Sequence, residues 1–322
     1  MKTTDRIFVT GHQGLAGSAI VAGLKQRGYQ NLILRSRLEL DLMNSIDVSK
    51  FFELEKPEYV FMAAAKVGGI LANKSFPGEF IHENLAMQLN VIEASRRNHV
   101  KRLIFLASSS IYPKSAPQPL REDSLMTGPL EDTNRPYAVA KLAGIEQCWA
   151  YNRQYGTRYI ALIPTNLYGP GDRYDLRNSH VLPSLLQKIV EARDTSQAEV
   201  VVWGSGDPLR EFLFSADMAD ACIFVANLTE ETYGALLCED IAPVVNVGSG
   251  IEISIKDLAN SICSAVGYSG NLVFDATKPD GVMRKLLDST RIKKLGWSSL
   301  VSLEDGIILA YESAANAGIF GK

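Results

Sequence analysis

Three hydroxyls, a phenol and an amine are the residues of this chain whose types and spacing could do chemistry. The stretch Phe105 to Pro113 reads FLASSSIYP, an apolar run that stops abruptly in Ser108, Ser109 and Ser110. Farther on, Tyr137 and Lys141 stand four apart in PYAVAK. Residues at that spacing lie on one helical face, one turn from each other. A cationic Lys141 beside Tyr137 would favour the phenolate and lower the phenol from its ordinary value of about 10. A phenol tuned in this way can give a proton to a developing alkoxide. The serines have two readings at this point, as caps of a turn or as a ligand-binding edge at the carboxyl end of a strand.

These side chains need elements to position them, and the order of those elements is that of an α/β chain. Arg6 to Thr10 forms a short strand that runs into Gly11-His12-Gln13-Gly14-Leu15-Ala16-Gly17, and a helix follows from about Ser18 to Arg27. A GxxGxxG motif between strand and helix allows a tight turn and close backbone approach, and the helix N-terminus offers free N–H groups to a pyrophosphate. The next strand, Asn31 to Leu34, ends in Arg35-Ser36-Arg37, where an NAD-type fingerprint would place an acidic residue. Two cations there suit a 2′-phosphate, which favours NADPH over NADH. Asp41-Leu42 leads to a helix from Ser45 to Glu55, and Asp41 either reaches the adenine or caps a turn. A third strand, Tyr59 to Ala63, continues into Ala64-Ala65, small residues that let the flat face of a cofactor approach. Gly78 to Asn98 reads as a long helix, apolar on more than one side, which suits packing on the sheet and on a second subunit. The serine-bearing strand is Lys101 to Ala107. The loop from Lys114 to Pro136 is long enough to fold Tyr137 back towards Ser108, on a second long helix that reaches about Tyr155.

The later chain alternates in the same way. Strands are expected at Tyr159 to Pro164, Val200 to Trp203 and Val244 to Val247, and helices at Val181 to Glu191, from Asp217, at Ile255 to Val266 and at Leu303 to Ala314. Lys278 to Lys285 reads as a polar loop. The fold class expected is a doubly wound parallel sheet of the Rossmann type with a smaller α/β C-terminal domain. Residues 1–168, with 214–248 returning, would bind the dinucleotide, and 169–213 with 249–322 would mainly form the substrate domain. Its 322 residues suit two lobes.

Composition narrows the function classes. The formal charge is −3, with no basic concentration of the kind that binds nucleic acid. Cys148, Cys222, Cys238 and Cys263 are scattered without a CxxC pair, which argues against a metal site or a disulfide framework and fits a reducing cytoplasm. The N-terminus enters a strand directly, without a signal-peptide pattern, and no run is long and apolar enough to span a membrane. A cytoplasmic enzyme is therefore expected.

The combination of an N-terminal GxxGxxG, serine after the fourth strand and YxxxK resembles the extended short-chain dehydrogenase/reductases. GHQGLAGSAI, AAAKVGGI, SSIYPK, PYAVAKLAGI, YNRQYG, PTNLYGPGD, NSHVLP, VVWGSG, REF and KPDGVMRKLLD resemble the GDP-L-fucose synthase family over essentially the whole chain. The resemblance implies NADPH, a GDP-linked 4-keto-6-deoxy sugar and a homodimer built on the two long helices. It implies that Gly11, Gln13, Gly14, Leu15, Ala16, Gly17, Arg35, Arg37, Asp41, Leu42, Ala63, Ala64, Ala65 and Leu106 hold the cofactor, with Pro164, Asn166 and Leu167 along the nicotinamide. Lys141 binds the ribose and tunes Tyr137, and Ser108 hydrogen-bonds the carbonyl. His180 matches a histidine that the family uses as an acid/base and places against the cofactor. Ser109, Lys188, Trp203, Arg210, Asp280 and Lys285 match positions near the nucleotide sugar. Trp203 either stacks on guanine or packs, and the resemblance points to the nucleotide.

Departures from the family pattern carry the sharpest expectation. The family has SSCIYP where this chain has Ser108-Ser109-Ser110-Ile111-Tyr112-Pro113, so Ser110 replaces the cysteine that works with the histidine in 3,5-epimerisation. A thiol titrates near about 8.5, within reach of neutral pH, and a serine hydroxyl does not. Reductase activity with weak or absent epimerase activity is expected. A bifunctional epimerase/reductase and a catalytically silent NADP-binding regulatory protein are the alternatives. Gln13 stands where the family commonly has Arg, and Lys188 stands where Arg is more typical, which loses a bidentate clamp while keeping the charge.

Overall fold

Apolar strands of four to six residues, each punctuated by glycine or a polar turn, build the core of the molecule. A computed structural model of the 322-residue chain describes residues 1–175, 179–237, 240–278 and 280–320. Asn178, Cys238 and Pro279, which the sequence reading touched, lie outside the described residues. In chain order the first lobe runs β1 (Ile7–Thr10), α1 (Leu15–Gln26), β2 (Leu32–Ile33), α2 (Ser45–Glu55), β3 (Tyr59–Met62), α3 (Ile70–Ser75), α4 (Pro77–Arg97), β4 (Arg102–Leu106), α5 (Arg135–Tyr155) and β5 (Tyr159–Pro164). Then come β6 (Asn166–Tyr168), α6 (Val181–Asp194), β7 (Glu199–Trp203), β8 (Leu209–Phe214), α7 (Ser215–Asn227), α8 (Glu230–Ala235) and β9 (Val244–Val247). The chain ends with β10 (Glu252–Ser254), α9 (Ile255–Val266), β11 (Asn271–Asp275), β12 (Arg284–Lys285), α10 (Thr290–Lys294) and α11 (Leu303–Asn316).

The main sheet is parallel, in the order β2-β1-β3-β4-β5-β9, with Ile7 opposite Tyr59, Tyr59 opposite Arg102 and Leu103 opposite Tyr159. Its central strands IFVT and RLIFL are buried throughout, the pattern of strands covered on both faces. One face packs on α1 and α7 through Ile20, Leu24, Met218 and Ile223; the other packs on α2, α4 and α5 through Phe52, Val91, Ile92 and Ile145. Strand order reverses between β1 and β3, so their carboxyl ends open a crevice where such sheets take ligands. The second lobe has its own core, in which Leu186, Ile189, Phe212, Leu258, Ile262 and Ile307 bring α6, α9 and α11 onto β8 and its neighbours. After β12 the chain returns briefly, placing Ile292 and Trp297 in the core of the first lobe.

Several boundaries differ from the sequence reading for identifiable reasons. The first helix begins at Leu15 rather than Ser18, inside the glycine motif, because a Cβ at Gly17 would collide with the carbonyl of Gly11 and glycine lets the turns nest. The second strand has two residues, Leu32–Ile33, rather than Asn31 to Leu34. The helix of Tyr137 starts at Arg135, with Pro136 in its first turn, where a missing N–H costs nothing. Residues Arg284–Lys285, expected in a polar loop, form β12, parallel to β8 with Lys285 opposite Arg210. Among the described residues no helix is long and apolar enough to cross a membrane.

Candidate active site

The carboxyl ends of β1, β3, β4 and β5 border a cleft of about 680 Å³. Every residue expected to serve catalysis or the cofactor lines it: Ser108, Ser110, Tyr137, Lys141 and His180, and the whole set from Gly11 through Leu167. Ser109, expected near the sugar, lines it too and is buried. Lys188, Trp203, Arg210, Asp280 and Lys285 do not line this cleft; they gather on the second lobe.

The glycine loop is shaped to admit a dinucleotide. Gly11 has φ +66° and accepts a hydrogen bond from Gly14 N at 2.9 Å, closing a tight turn. Gly14 caps α1 without any side-chain cap, so the first N–H groups of the helix remain available to phosphate oxygens. Thr10 Oγ1 accepts from Ala64 N at 3.0 Å and holds the second small-residue strand end beside the first. The cations beyond β2 are not equivalent. Arg35 donates to Glu55 at 2.6 Å and lies over the Phe51 ring, whereas Arg37 is 71% exposed and reaches Glu83 only at 3.8 Å. Arg37 is thus the freer partner for a 2′-phosphate. Asp41 accepts from Met43 N at 3.0 Å, so it caps a turn as well as lining the cleft.

At the chemical centre, Tyr137 lies beside Ser108 in the cleft, and that hydroxyl eases ionisation of the phenol. Ser108 also caps the single 3₁₀ turn Ser109–Ile111, which aims Ser110 back at it. Tight packing of α5 on β4 makes this meeting possible. At Gly144 a Cβ would lie 2.6 Å from the Phe105 ring, so glycine sets the closeness of helix and strand. Lys141 is 2% exposed and donates to Leu106 O at 2.7 Å. Burial presses its amine down to about 7. The expectation of an acidified tyrosine is corrected here: burial raises Tyr137 to about 12, and the Ser108 hydrogen bond offsets only part of that. In the unliganded protein desolvation acts on both groups, lowering the amine and raising the phenol, and outweighs the effect that spacing alone suggested. His180 stands at the rim of the cleft with part of its side chain exposed, and desolvation of its ring by the packed protein, then the charge of Lys285, lower its pKa.

The second cluster carries charge and one flat surface. Trp203 is 68% exposed, which excludes a packing role, and Lys188 and Lys278 stand over its ring at 5.2 and 5.7 Å. Asp280 accepts from Ser205 N at 3.0 Å and from Ser205 Oγ at 2.8 Å, which fixes the loop beside that indole. Lys285 is lowered to about 8 by burial and by Arg210, while Glu131 opposes the shift. Two crowded cations with depressed basicity favour an anionic ligand that would relieve their repulsion. Lys285 also bears on His180, so the cluster reaches the cleft at that rim.

Sequence reasoning missed the buried residues that join these parts. Glu211 is fully buried; its carboxylate accepts from Gly250 N at 2.7 Å and Leu287 N at 3.0 Å, and its carbonyl accepts from Thr165 Oγ1 at 3.1 Å and Asn166 Nδ2 at 2.8 Å. Asn246 accepts from the Tyr112 hydroxyl at 2.6 Å and donates to Leu120 O and Asp288 O. An acid in the apolar run LREFLF and an amide in VVNV were the available signals, since buried polar groups need partners. Asp172 was missed as well: it lines the cleft with one buried oxygen unpartnered, and burial lifts its carboxyl to about 6.

Residues 7–236 match the family model described as the NAD dependent epimerase/dehydratase family. The chain is 51% identical over 312 residues to a putative GDP-L-fucose synthase 2 of Arabidopsis thaliana, covering 97% of this chain and 92% of the relative. It is 50% identical to the GDP-L-fucose synthase of Escherichia coli K12, covering 96% of each. Among solved structures, a GDP-mannoheptose C4 reductase from Campylobacter jejuni with NADP bound superposes with a TM-score of 0.88 at 39% identity, covering 98% of this chain and 99% of that one.

Proposed function

The chain belongs to the GDP-L-fucose synthase family, within the NAD dependent epimerase/dehydratases, and we propose that it reduces the C4 ketone of a GDP-linked 4-keto-6-deoxy sugar without epimerising C3 and C5. The observation that carries the reading is the meeting of Ser108, Tyr137 and the buried Lys141 in the same cleft as the glycine loop. NADPH, when bound, supplies the hydride. Gly11 to Gly17 hold its diphosphate, Arg37 with Arg35 its 2′-phosphate, and Pro164 to Leu167 its nicotinamide end. Ser108 donates a hydrogen bond to the ketone oxygen, which polarises the carbonyl, and Tyr137 gives that oxygen its proton. A phenol that burial holds protonated at neutral pH is ready to be the donor. Lys141 holds the ribose hydroxyls and recovers its charge beside the anionic cofactor. Trp203 stacks on guanine, while Lys188, Arg210 and Lys285 hold the diphosphate, so that binding energy far from the ketone positions it.

Ser110 supports loss of epimerisation, because its hydroxyl cannot serve as a base near neutral pH. The name C4 reductase on a 39%-identical structure is in keeping with this. A second reading, the bifunctional enzyme, is favoured by about half identity to proteins named GDP-L-fucose synthase. The two part in one experiment, in which protein, NADPH and GDP-4-keto-6-deoxymannose are mixed in D₂O. Loss of reduced-nicotinamide absorbance with no deuterium at C3 or C5 of the product is expected. Deuterium at those carbons, with GDP-L-fucose formed, would make the enzyme bifunctional. Tight NADPH binding without oxidation would make it a silent binding protein. Ser110→Cys is expected to restore exchange if His180 is correctly placed.

The working unit in this reading is a homodimer built on α4 and α5, which pack on each other and present exposed Leu89 and Val139. Residues 1–168 and 214–248 bind the dinucleotide, and 169–213 with 249–322 mainly bind the sugar nucleotide. A monomer in sedimentation at micromolar concentration would overturn the dimer.

A further inference from the structure

At position 110 the chain has exchanged an ionisable thiol for a hydroxyl, and the geometry gives that hydroxyl a partner. Ser110 Oγ lies 3.0 Å from Ser108 Oγ, and Ser110 N donates to the same oxygen at 3.3 Å. Tyr137 lines the cleft beside Ser108, so the hydroxyls of Ser110, Ser108 and Tyr137 gather at one place, with Ser110 and Ser108 in hydrogen-bond contact. The turn that carries Ser110 is fixed at both ends. Ile111 is fully buried with its N–H on Ser108 O at 3.2 Å, and the Tyr112 hydroxyl is anchored on Asn246. Little but the rotation of the Ser110 side chain is left free.

A serine hydroxyl has one proton and two lone pairs. Ser108 can spend its proton on a ketone oxygen only if its neighbours donate to it rather than accept from it. The Ser110 N–H is a donor by necessity. The Ser110 O–H can be either, and with both lone pairs of Ser108 filled by donors the Ser108 proton must point outward, into the cleft. A hydroxyl that accepts two hydrogen bonds is also a stronger donor of its own, because neighbouring bonds polarise one another. A thiol at this place would donate weakly.

Resting on the reading of the chain as a ketone reductase, we propose that Ser110 is a positioning residue for the reduction: its hydroxyl donates to Ser108 Oγ, directs the Ser108 proton at the ketone and sharpens Ser108 as a donor to the developing alkoxide. Ser110 is then a working part of this site, and the loss of epimerisation and the gain of an oriented donor come from the same exchange of sulfur for oxygen. Tyr137, beside Ser108, gives its proton to the same oxygen.

The test uses the wild-type protein, Ser110→Ala and Ser110→Thr, with NADPH and GDP-4-keto-6-deoxymannose. Ser110→Ala is expected to lower kcat about tenfold, the scale of one hydrogen bond made in the transition state, and to leave KM for the sugar nucleotide and Kd for NADPH within about twofold. The deuterium effect on kcat from NADPH labelled at C4 should rise in Ser110→Ala as hydride transfer slows. Ser110→Thr, which keeps the hydroxyl, should recover most of kcat. Wild-type kcat in Ser110→Ala would overturn the proposal. So would a rise in KM alone, which would make Ser110 a sugar contact, or a loss of NADPH binding and thermal stability, which would make it structural. A wild-type protein that oxidises no NADPH would remove the reductase reading itself and this proposal with it.

Discussion

Charge at single residues decides how this site handles its cofactor. Arg35 shares its charge with Glu55 at 2.6 Å, and the more exposed Arg37 reaches Glu83 only at 3.8 Å. Arg37→Ala should therefore weaken NADPH binding about tenfold and leave NADH binding nearly unchanged, whereas Arg35→Ala should do less; fluorescence titration with both nucleotides checks this. Lys141 has a pH signature. Its folded value of about 7 lies below its ordinary 10.5, so the unfolded chain binds the extra proton between those limits. Stability of the unliganded protein consequently rises with pH across that window. Lys285, also depressed, adds a slope of the same sign above about 8. Lys141→Met should raise the melting temperature at pH 7 by several degrees, flatten its rise towards pH 10 and abolish reduction. NADPH affinity has the opposite trend, because the anionic cofactor prefers the charged amine, and should fall as pH rises above about 7.

Two glycine contacts control placement at the scale of elements. Gly17 lets α1 nest on the turn at Gly11, and the N-terminus of that helix lines the cleft. Gly144 lets α5 press on β4, and α5 carries both Tyr137 and Lys141. A methyl at position 144 would sit 2.6 Å from Phe105 and 3.0 Å from the Gln88 side chain, so the helix must move outward. Gly144→Ala should cost about 1–3 kcal/mol of stability, the usual range for overpacking. It should also cut kcat more than it weakens NADPH binding, because a small shift between Tyr137 and Ser108 spoils proton transfer before it disturbs the glycine loop. Thermal melts and steady-state kinetics of the same preparation measure both.

For the whole molecule, the joint between the lobes is polar and buried. Glu211, next to Arg210, holds the Thr165–Asn166 segment by its carbonyl and, by its carboxylate, the backbones of Gly250 and of Leu287, which follows Lys285 by two residues. Glu211→Gln keeps the shape but puts an amide donor against one of two backbone donors. It should destabilise the protein by about 1–3 kcal/mol and raise KM for the sugar nucleotide several-fold more than Kd for NADPH. Calorimetry and kinetics in parallel would show whether the joint sets substrate placement.

Much of this was legible in the sequence because the signals were local. Strand alternation, the glycine motif at a strand–helix junction and the Tyr-Lys spacing on one helical face are consequences of backbone geometry within a few residues. They were enough to foresee the doubly wound sheet, the glycine loop and the serine, tyrosine and lysine of its cleft, while Leu106, Pro164 to Leu167 and His180 were reached through the family resemblance. The absence of sulfur at Ser110 is likewise a fact of sequence alone. Tertiary structure decided what depends on distant neighbours. It buried both Lys141 and Tyr137, so that desolvation lowers the amine and raises the phenol, the reverse of what their spacing implied. It paired Lys285 with Arg210 in adjacent strands and gave Glu211 and Asn246 their partners from segments far away in the chain. Desolvation and hydrogen bonding are set by whatever the fold brings near, and no spacing along the chain records that.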